Sequence, residues 1–157
     1  MTVTAIAAKM LLYLLGLGQE EMAMYTMFVN LLVVLVGTFF TVRQHRIKSP
    51  QSNFTSEFKA GMRSAAIFAL FMSLFVLVYY SYIDTHYFEQ MIESRIELAK
   101  TSLLDNPDIK IEEVRKTGEL FFTPRVHATI TLFGLTATGA IYSFLLVLLT
   151  RKIYRLN

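Results

Sequence analysis

The sequence predicts an all-α polytopic membrane protein, a four-helix transmembrane bundle with an extracytoplasmic amphipathic helical segment before the last helix. Apolar residues make up 54% of the chain and charged residues only 17%, whereas soluble domains are about 45–50% apolar and about 25% charged. The apolar residues also gather in long uninterrupted runs, which suit a bilayer and not water. Because the chain has 157 residues, we expect a single membrane domain, 1–157.

Three uncharged runs are long enough to cross a bilayer as helices. They are 22–42, 64–82 and 128–150, with 21, 19 and 23 residues, and a spanning helix needs about 20. The predicted first helix, 2–17, has 16 residues with Lys9 in its middle, and as a helix it would reach only about 24 Å. A short span, a half-inserted helix and a helix buried against its neighbours all fit this segment.

The charges that flank these runs predict an orientation. Basic residues in short loops stay in the cytoplasm. Two basic clusters are present, one after the second predicted helix and one in the tail: Arg43, Arg46, Lys48, Lys59 and Arg63; Arg151, Lys152 and Arg155. The segment 83–125 carries nine acidic and six basic residues and is expected outside. We therefore expect a protein of the bacterial inner (cytoplasmic) membrane with a cytoplasmic C-terminus.

Helical periodicity appears inside the predicted outer segment and before the third span. From Phe88 to Leu103 apolar residues recur at every third or fourth position, with acidic residues opposite them, as in an amphipathic helix. Before the third span, Asn53 or Thr55 is placed to cap a short amphipathic start, FTSEFKAG.

Small residues and aromatic residues form the candidate contact surfaces. Small residues at four-residue spacing let helix backbones approach closely, and these are the predicted packing positions: Gly61, Ala65, Gly134 and Thr138. Their partner could be another helix of this chain or a partner protein. Aromatic residues crowd the outer end of the third span: Tyr79, Tyr80, Tyr82, Tyr87 and Phe88. They fit an aromatic belt and, as a sharper alternative, a site of lipid or partner contact.

Residues that would support chemistry are sparse. The chain has no cysteine, which excludes disulfides, thiolate catalysis and cysteine-based metal sites, and it shows no recognisable catalytic or phosphate-binding motif. His86 lies near Asp84 and Glu89, and His127 is expected at the same membrane edge; we interpret them as polar helix ends, not as a zinc site. We therefore expect no catalytic residue, no metal, no cofactor and no nucleic-acid partner.

Three stretches resemble a known family. They are the FTSEFKAG start, the tyrosine-rich YYSYIDTHYFEQMIE and the closing LLTRKIYRLN. From about Met22 to the C-terminus the chain is similar to the DUF4199 family, small four-helix membrane proteins mainly of Bacteroidetes. The resemblance implies the four-helix membrane fold and no activity or catalytic residue. It also implies an association with genes for polyprenyl-phosphate glycosyltransferases.

The function predicted from these observations is that of a non-enzymatic accessory or scaffold subunit, in contact with the lipid bilayer and a membrane-protein partner. One alternative is the handling of lipid or envelope precursors beside a polyprenyl-phosphate glycosyltransferase, motivated by the tyrosines. A small transporter or channel is the other. It would use a polar path near Lys9 or Asn30, because polar and ionisable groups inside spans mark transport pathways.

Overall fold

The structure, a computed structural model, describes residues 2–15, 19–101 and 107–155, and within them it contains helices and no strand. The all-α class is therefore confirmed. The helices of this described part are α1 (Thr2–Leu14), α2 (Gln19–Lys48), α3 (Phe54–Val78), α4 (Tyr87–Thr101), α5 (Pro107–Phe121) and α6 (Pro124–Arg155). A π-helical turn, Tyr79–Ile83, continues α3.

Three of these helices are long and apolar enough to cross a membrane. The candidate spans are Met24–Lys48, Phe54–Ile83 and Pro124–Lys152. They correspond to the second, third and fourth predicted spans, and they support an integral membrane protein.

The predicted first span differs from the other three. It appears as α1, a helix of 13 residues, and it belongs to the shorter apolar helices. At about 1.5 Å per residue, α1 would reach roughly 20 Å, less than a hydrocarbon core of about 30 Å. Residues 16 and 17 of this predicted helix lie outside the described residues. A bundle of four transmembrane helices is accordingly not confirmed.

The chain divides into two compact units. The first unit comprises Met1–Ser73 and Thr131–Asn157, and the second comprises Leu74–Ile130. In the first unit α1 packs against α2, and in the second α4 packs against α5. Residues 102–106 of the predicted outer segment lie outside the described residues, and the rest of that segment belongs to the second unit.

Close packing in the second unit depends on Gly118, which lies in α5 against Ile92 of α4. A Cβ atom at Gly118 would come within 2.8 Å of the Ile92 Cγ1, closer than carbon atoms pack. Nearby, the Arg95 guanidinium lies 4.9 Å from the centroid of the Phe122 ring, within the range of a cation–π contact.

In the first unit, α2, α3 and α6 approach one another at small residues. A Cβ at Gly61 of α3 would lie 2.6 Å from the Ser143 Oγ of α6 and 3.1 Å from the Thr38 Cγ2 of α2. A Cβ at Gly139 of α6 would overlap the Cβ of Ala65. Three helices therefore meet where side chains are smallest, as close packing in a membrane requires.

The four predicted packing positions are not equivalent. Gly61 and Ala65 are buried and lie at the helix contacts just described. Thr138 is half-buried, and a Cβ at Gly134 would meet no atom within 4 Å. On α6 it is Gly139 that faces α3, because Gly139 is five residues and hence about 140° around the helix from Gly134.

Three hydroxyl groups in the apolar part of α6 are hydrogen-bonded to the backbone of the helix itself. Thr136, Ser143 and Thr150 each donate a hydrogen bond to the carbonyl oxygen four residues earlier, at 2.7, 2.7 and 2.8 Å. This local bond removes the cost of an unpaired polar group. Polar residues in the last span are therefore compatible with hydrocarbon surroundings.

We predict that Gly139→Ala destabilises the protein and that Gly134→Ala does not. The first change forces a methyl group onto Ala65, and overpacking of this kind typically costs about 1–3 kcal/mol. The second adds a methyl group in open space, where alanine favours the helix by about 1 kcal/mol relative to glycine. Denaturant unfolding in detergent micelles measures both. Equal stability of the two variants would contradict the helix contact.

Candidate functional site

The first turn of α3 buries a carboxylate. Glu57 is 0% exposed, although it lies in a polar stretch of the sequence. The turn begins with Asn53, whose Oδ1 accepts a hydrogen bond from the Ser56 backbone N–H at 2.8 Å. Asn53 is therefore the helix cap, which leaves the Glu57 side chain free to point into the protein interior.

Both oxygens of the Glu57 carboxylate accept hydrogen bonds from Arg151 in α6. The Arg151 Nε donates to Oε2 at 3.2 Å, and the Nη2 donates to Oε1 at 3.1 Å. The Ser52 Oγ also donates to Oε1, at 2.9 Å. The Arg46 Nε lies 3.8 Å from Oε1. We call Arg46, Ser52, Glu57 and Arg151 the Glu57 cluster.

The Glu57 cluster joins three parts of the chain. Arg46 lies in the last turn of α2, Glu57 in the first turn of α3, and Arg151 near the end of α6. Arg151 also donates through Nη2 to the Ser52 carbonyl oxygen at 2.7 Å, so it holds the loop before α3 as well. A two-point bond between guanidinium and carboxylate fixes distance and angle together.

The net charge of the Glu57 cluster is positive. Two guanidinium groups, on Arg46 and Arg151, face one carboxylate. A buried charge left alone is costly, so the two arginines stabilise the ionised Glu57. The cluster therefore carries two positive charges against one negative charge, and the Arg46 side chain is 18% exposed.

A shallow cavity of about 530 Å³ lies beside the Glu57 cluster. More of the lining surface is apolar than polar, but five of the six lining residues carry a polar side-chain group: His45, Ser49, Gln51, Ser52 and Ser56, with Pro50 as the sixth. The His45 Nε2 and the Ser56 Oγ are hydrogen-bonded at 2.8 Å, which connects the end of α2 to the start of α3. The lining offers hydroxyl, imidazole and amide groups that can hydrogen-bond a small polar ligand.

The aromatic residues predicted for lipid or partner contact form a packed cluster in the second unit. The Tyr80 ring centroid lies 4.6 Å from that of Tyr87, and 5.0 Å from those of Tyr79 and Phe88. These four residues are at most 6% exposed, whereas Tyr82 is 80% exposed. Tyr82 is therefore the one of the five that presents a large surface to lipid or to a partner.

Polar contacts complete this aromatic cluster. The Tyr80 hydroxyl donates a hydrogen bond to the Tyr87 hydroxyl, and the His127 ring packs edge-on against Tyr80 at 5.2 Å. Burial raises the pKa of the Tyr87 hydroxyl above its ordinary value, the nearby Asp84 raises it further, and the bond from Tyr80 opposes the rise. Tyr87 is thus neutral at physiological pH and suited to hydrogen bonding.

The histidines and the polar residues of the spans occupy different surroundings. The His86 Nδ1 lies 3.0 Å from the Glu89 Oε2, with both side chains exposed. Within the described residues, no three potential metal ligands come together. Lys9 in α1 and Asn30 in α2 are buried, at 3% and 9% exposure. A transport path that used these two side chains would therefore run through the protein interior.

Sequence reasoning missed the Glu57 cluster. It treated the FTSEFKAG start as an ordinary amphipathic turn, and it treated Arg46 and Arg151 as topology signals. One signal was available, because Glu57 is the only acidic residue between Arg43 and Arg63. A lone acid among five basic residues is a candidate for a structural ion pair, although its partner 94 residues away has no sequence signature.

We predict that Arg151→Met destabilises the protein by about 3 kcal/mol, because it leaves the buried carboxylate short of its main partner. Lys152→Met is the matched control, since Lys152 is exposed and should change stability by less than about 0.5 kcal/mol. The double variant Glu57→Leu with Arg151→Met should recover most of the loss. Denaturant unfolding in detergent measures the free energy of unfolding of all three variants. An equal loss of stability in Arg151→Met and Lys152→Met would contradict the ion pair.

One family model matches the chain. It carries the description "Protein of unknown function (DUF4199)" and covers residues 1–152. The match includes α1, and so extends further towards the N-terminus than the sequence resemblance. No curated protein and no solved structure matches the chain.

Proposed function

This chain belongs to the DUF4199 family, and from that premise we propose that it is a non-enzymatic accessory or scaffold subunit of a membrane complex. In this proposal the protein lies in the bacterial inner membrane as a four-helix transmembrane bundle. Its C-terminus is cytoplasmic, and the segment 83–125 is extracytoplasmic. The observation that carries the proposal is Gly134, an exposed glycine of α6 with exposed apolar residues on the same side of the helix.

The candidate spans leave most of their residues uncovered by the chain itself. The buried shares of the most apolar windows of α2, α3 and α6 are 22%, 39% and 28%. Lipid alone could cover such surfaces. A subunit of a complex, however, would use part of the same surface to pack against a partner helix.

Gly134 singles out one part of that surface. It is exposed, with open space where a Cβ would lie. Ala137 and Ile141 lie three and seven residues later, on the same side of α6, and both are exposed. A small residue flanked by apolar ones lets another backbone approach closely. This Gly134 face differs from the Gly139 contact, which α3 already covers.

The orientation rests on the distribution of charge around the candidate spans. Basic residues of the described chain gather at the ends of α2 and α6 and at the start of α3: Arg43, Arg46, Lys48, Lys59, Arg63, Arg151, Lys152 and Arg155. Glu57 is the one acid among them, and the positive-inside rule favours the cytoplasm for such a surface.

We predict that Gly134→Leu releases the partner. The isobutyl group would fill the space that a partner backbone needs, and protein pulled down with this chain from native membranes should fall by about tenfold. Ala66→Leu is the matched control, because Ala66 is an exposed small residue of α3 and its enlargement faces lipid. Stability in detergent should be unchanged in both variants.

Two outcomes would contradict the accessory role. One is a lone monomer on purification of the unsubstituted protein in mild detergent, with no protein crosslinked through a photoreactive residue at Ile141. The other is an equal loss of the captured protein in Gly134→Leu and Ala66→Leu, which would indicate a general disturbance of the spans.

A second prediction concerns topology. Because the chain has no cysteine, single substitutions Lys48→Cys, Glu97→Cys and Thr2→Cys each create one labelling site. In intact cells a membrane-impermeant maleimide should label Glu97→Cys and spare Lys48→Cys. Thr2→Cys should also be spared if α1 crosses the membrane. Labelling of Lys48→Cys but not Glu97→Cys would reverse the orientation.

A further inference from the structure

We propose that the cavity beside the Glu57 cluster binds a phosphate group, most directly that of an anionic lipid headgroup. The inference goes beyond the accessory role and does not depend on it. It rests on three features of the same place: a cavity lined by five residues with polar side-chain groups, basic residues beside it, and a position between the ends of two candidate spans.

The walls of the cavity supply polar groups that can bind an anion. Ser49 contributes a hydroxyl group and Gln51 an amide. The Ser52 hydroxyl already donates to the carboxylate of the Glu57 cluster, and the hydrogen bond between His45 and Ser56 leaves that pair one further donor. Ser49 and Gln51 are exposed, so their polar groups are accessible from outside. Phosphate oxygens accept several hydrogen bonds at once, and a cluster of hydroxyl and nitrogen donors matches that requirement.

The charge beside the cavity is positive. Arg46 follows His45 in α2, and the single carboxylate of the Glu57 cluster is held on both oxygens by Arg151. Arg43 and Lys48 are exposed on the same last turns of α2. An anion in the cavity would therefore meet a positive potential that Glu57 does not cancel.

The position of the cavity favours a lipid headgroup over a soluble ligand as the bearer of the phosphate group. Its lining residues run from His45 to Ser56, and one candidate span ends at Lys48 while the next begins at Phe54. The ends of spans lie at the level of lipid headgroups. Basic residues at that level attract anionic lipids, and here a shaped cavity adds hydrogen bonding to attraction by charge.

The test compares two substitutions that change charge equally. Ser49→Asp places a carboxylate in the cavity wall, whereas Thr55→Asp places one on an exposed residue of the same region that does not line the cavity. The full-length protein is equilibrated with equal parts of phosphatidylglycerol and phosphatidylcholine, and the lipids that stay bound are counted by native mass spectrometry.

We expect the unsubstituted protein to retain phosphatidylglycerol in preference to phosphatidylcholine. Ser49→Asp should lower that preference by about tenfold, because a like charge enters the site, and Thr55→Asp should lower it by less than about twofold. His45→Ala provides a second variant that adds no charge, and it should also lower the preference. Unfolding in detergent identifies any variant that is not folded.

A second arm separates the two sources of phosphate. The protein is placed in discs of phosphatidylcholine alone and titrated with inorganic phosphate. Binding that Ser49→Asp abolishes would show that the cavity takes a free phosphate group; selective loss of phosphatidylglycerol without phosphate binding would show that it needs the lipid. Equal effects of Ser49→Asp and Thr55→Asp on lipid retention, or no phosphatidylglycerol preference together with no phosphate binding, would overturn the proposal.

Discussion

A carboxylate with no exposed surface must find partners for both of its oxygens, and the main partner of Glu57 lies 94 residues away in the chain. Arg151 binds it through two nitrogens, Ser52 adds a hydroxyl donor, and the Arg46 guanidinium lies beside it. Because the carboxylate cannot be left unpaired without a large cost, the start of α3 and the end of α6 must stay together. The loop between α2 and α3 is held by the same bonds, so the shape of the neighbouring cavity follows from them.

Close approach of the helices supports this constraint from within the span. Gly61 and Gly139 remove side chains where α3 meets α2 and α6, and Ser143 turns its hydroxyl back to its own helix. In hydrocarbon, where burial of apolar surface brings little gain between helices, such contacts supply the packing energy. Gly134 is also a glycine, but no atom lies close to the position that its Cβ would occupy. The identity of a small residue therefore indicates a capacity for close approach, while its position around the helix determines which surface uses it.

The second unit is stabilised by aromatic contacts and not by a buried ion pair among the contacts described above. Its aromatic residues pack ring against ring around Tyr80, and α4 and α5 meet through Gly118 and Ile92. Tyrosines that look alike in the sequence thus have different environments: Tyr80 contributes to a core, and Tyr82 to a surface. A membrane belt needs exposed rings, so the burial of Tyr79, Tyr80 and Tyr87 reduces the part that the cluster can present to lipid.

Composition and periodicity were enough to predict the all-α class and the three long candidate spans, because a run of about 20 uncharged residues has few alternatives to a membrane helix. They also offered Asn53 or Thr55 as the cap of α3, and in the structure the cap is Asn53. The choice of Gly139 over Gly134 and the pairing of Glu57 with Arg151 were decided only in three dimensions. Each depends on which residues meet across helices, and pairs 94 residues apart leave no local pattern. Local sequence determines which segments are helical and apolar, whereas the fold determines which charges and small residues find one another.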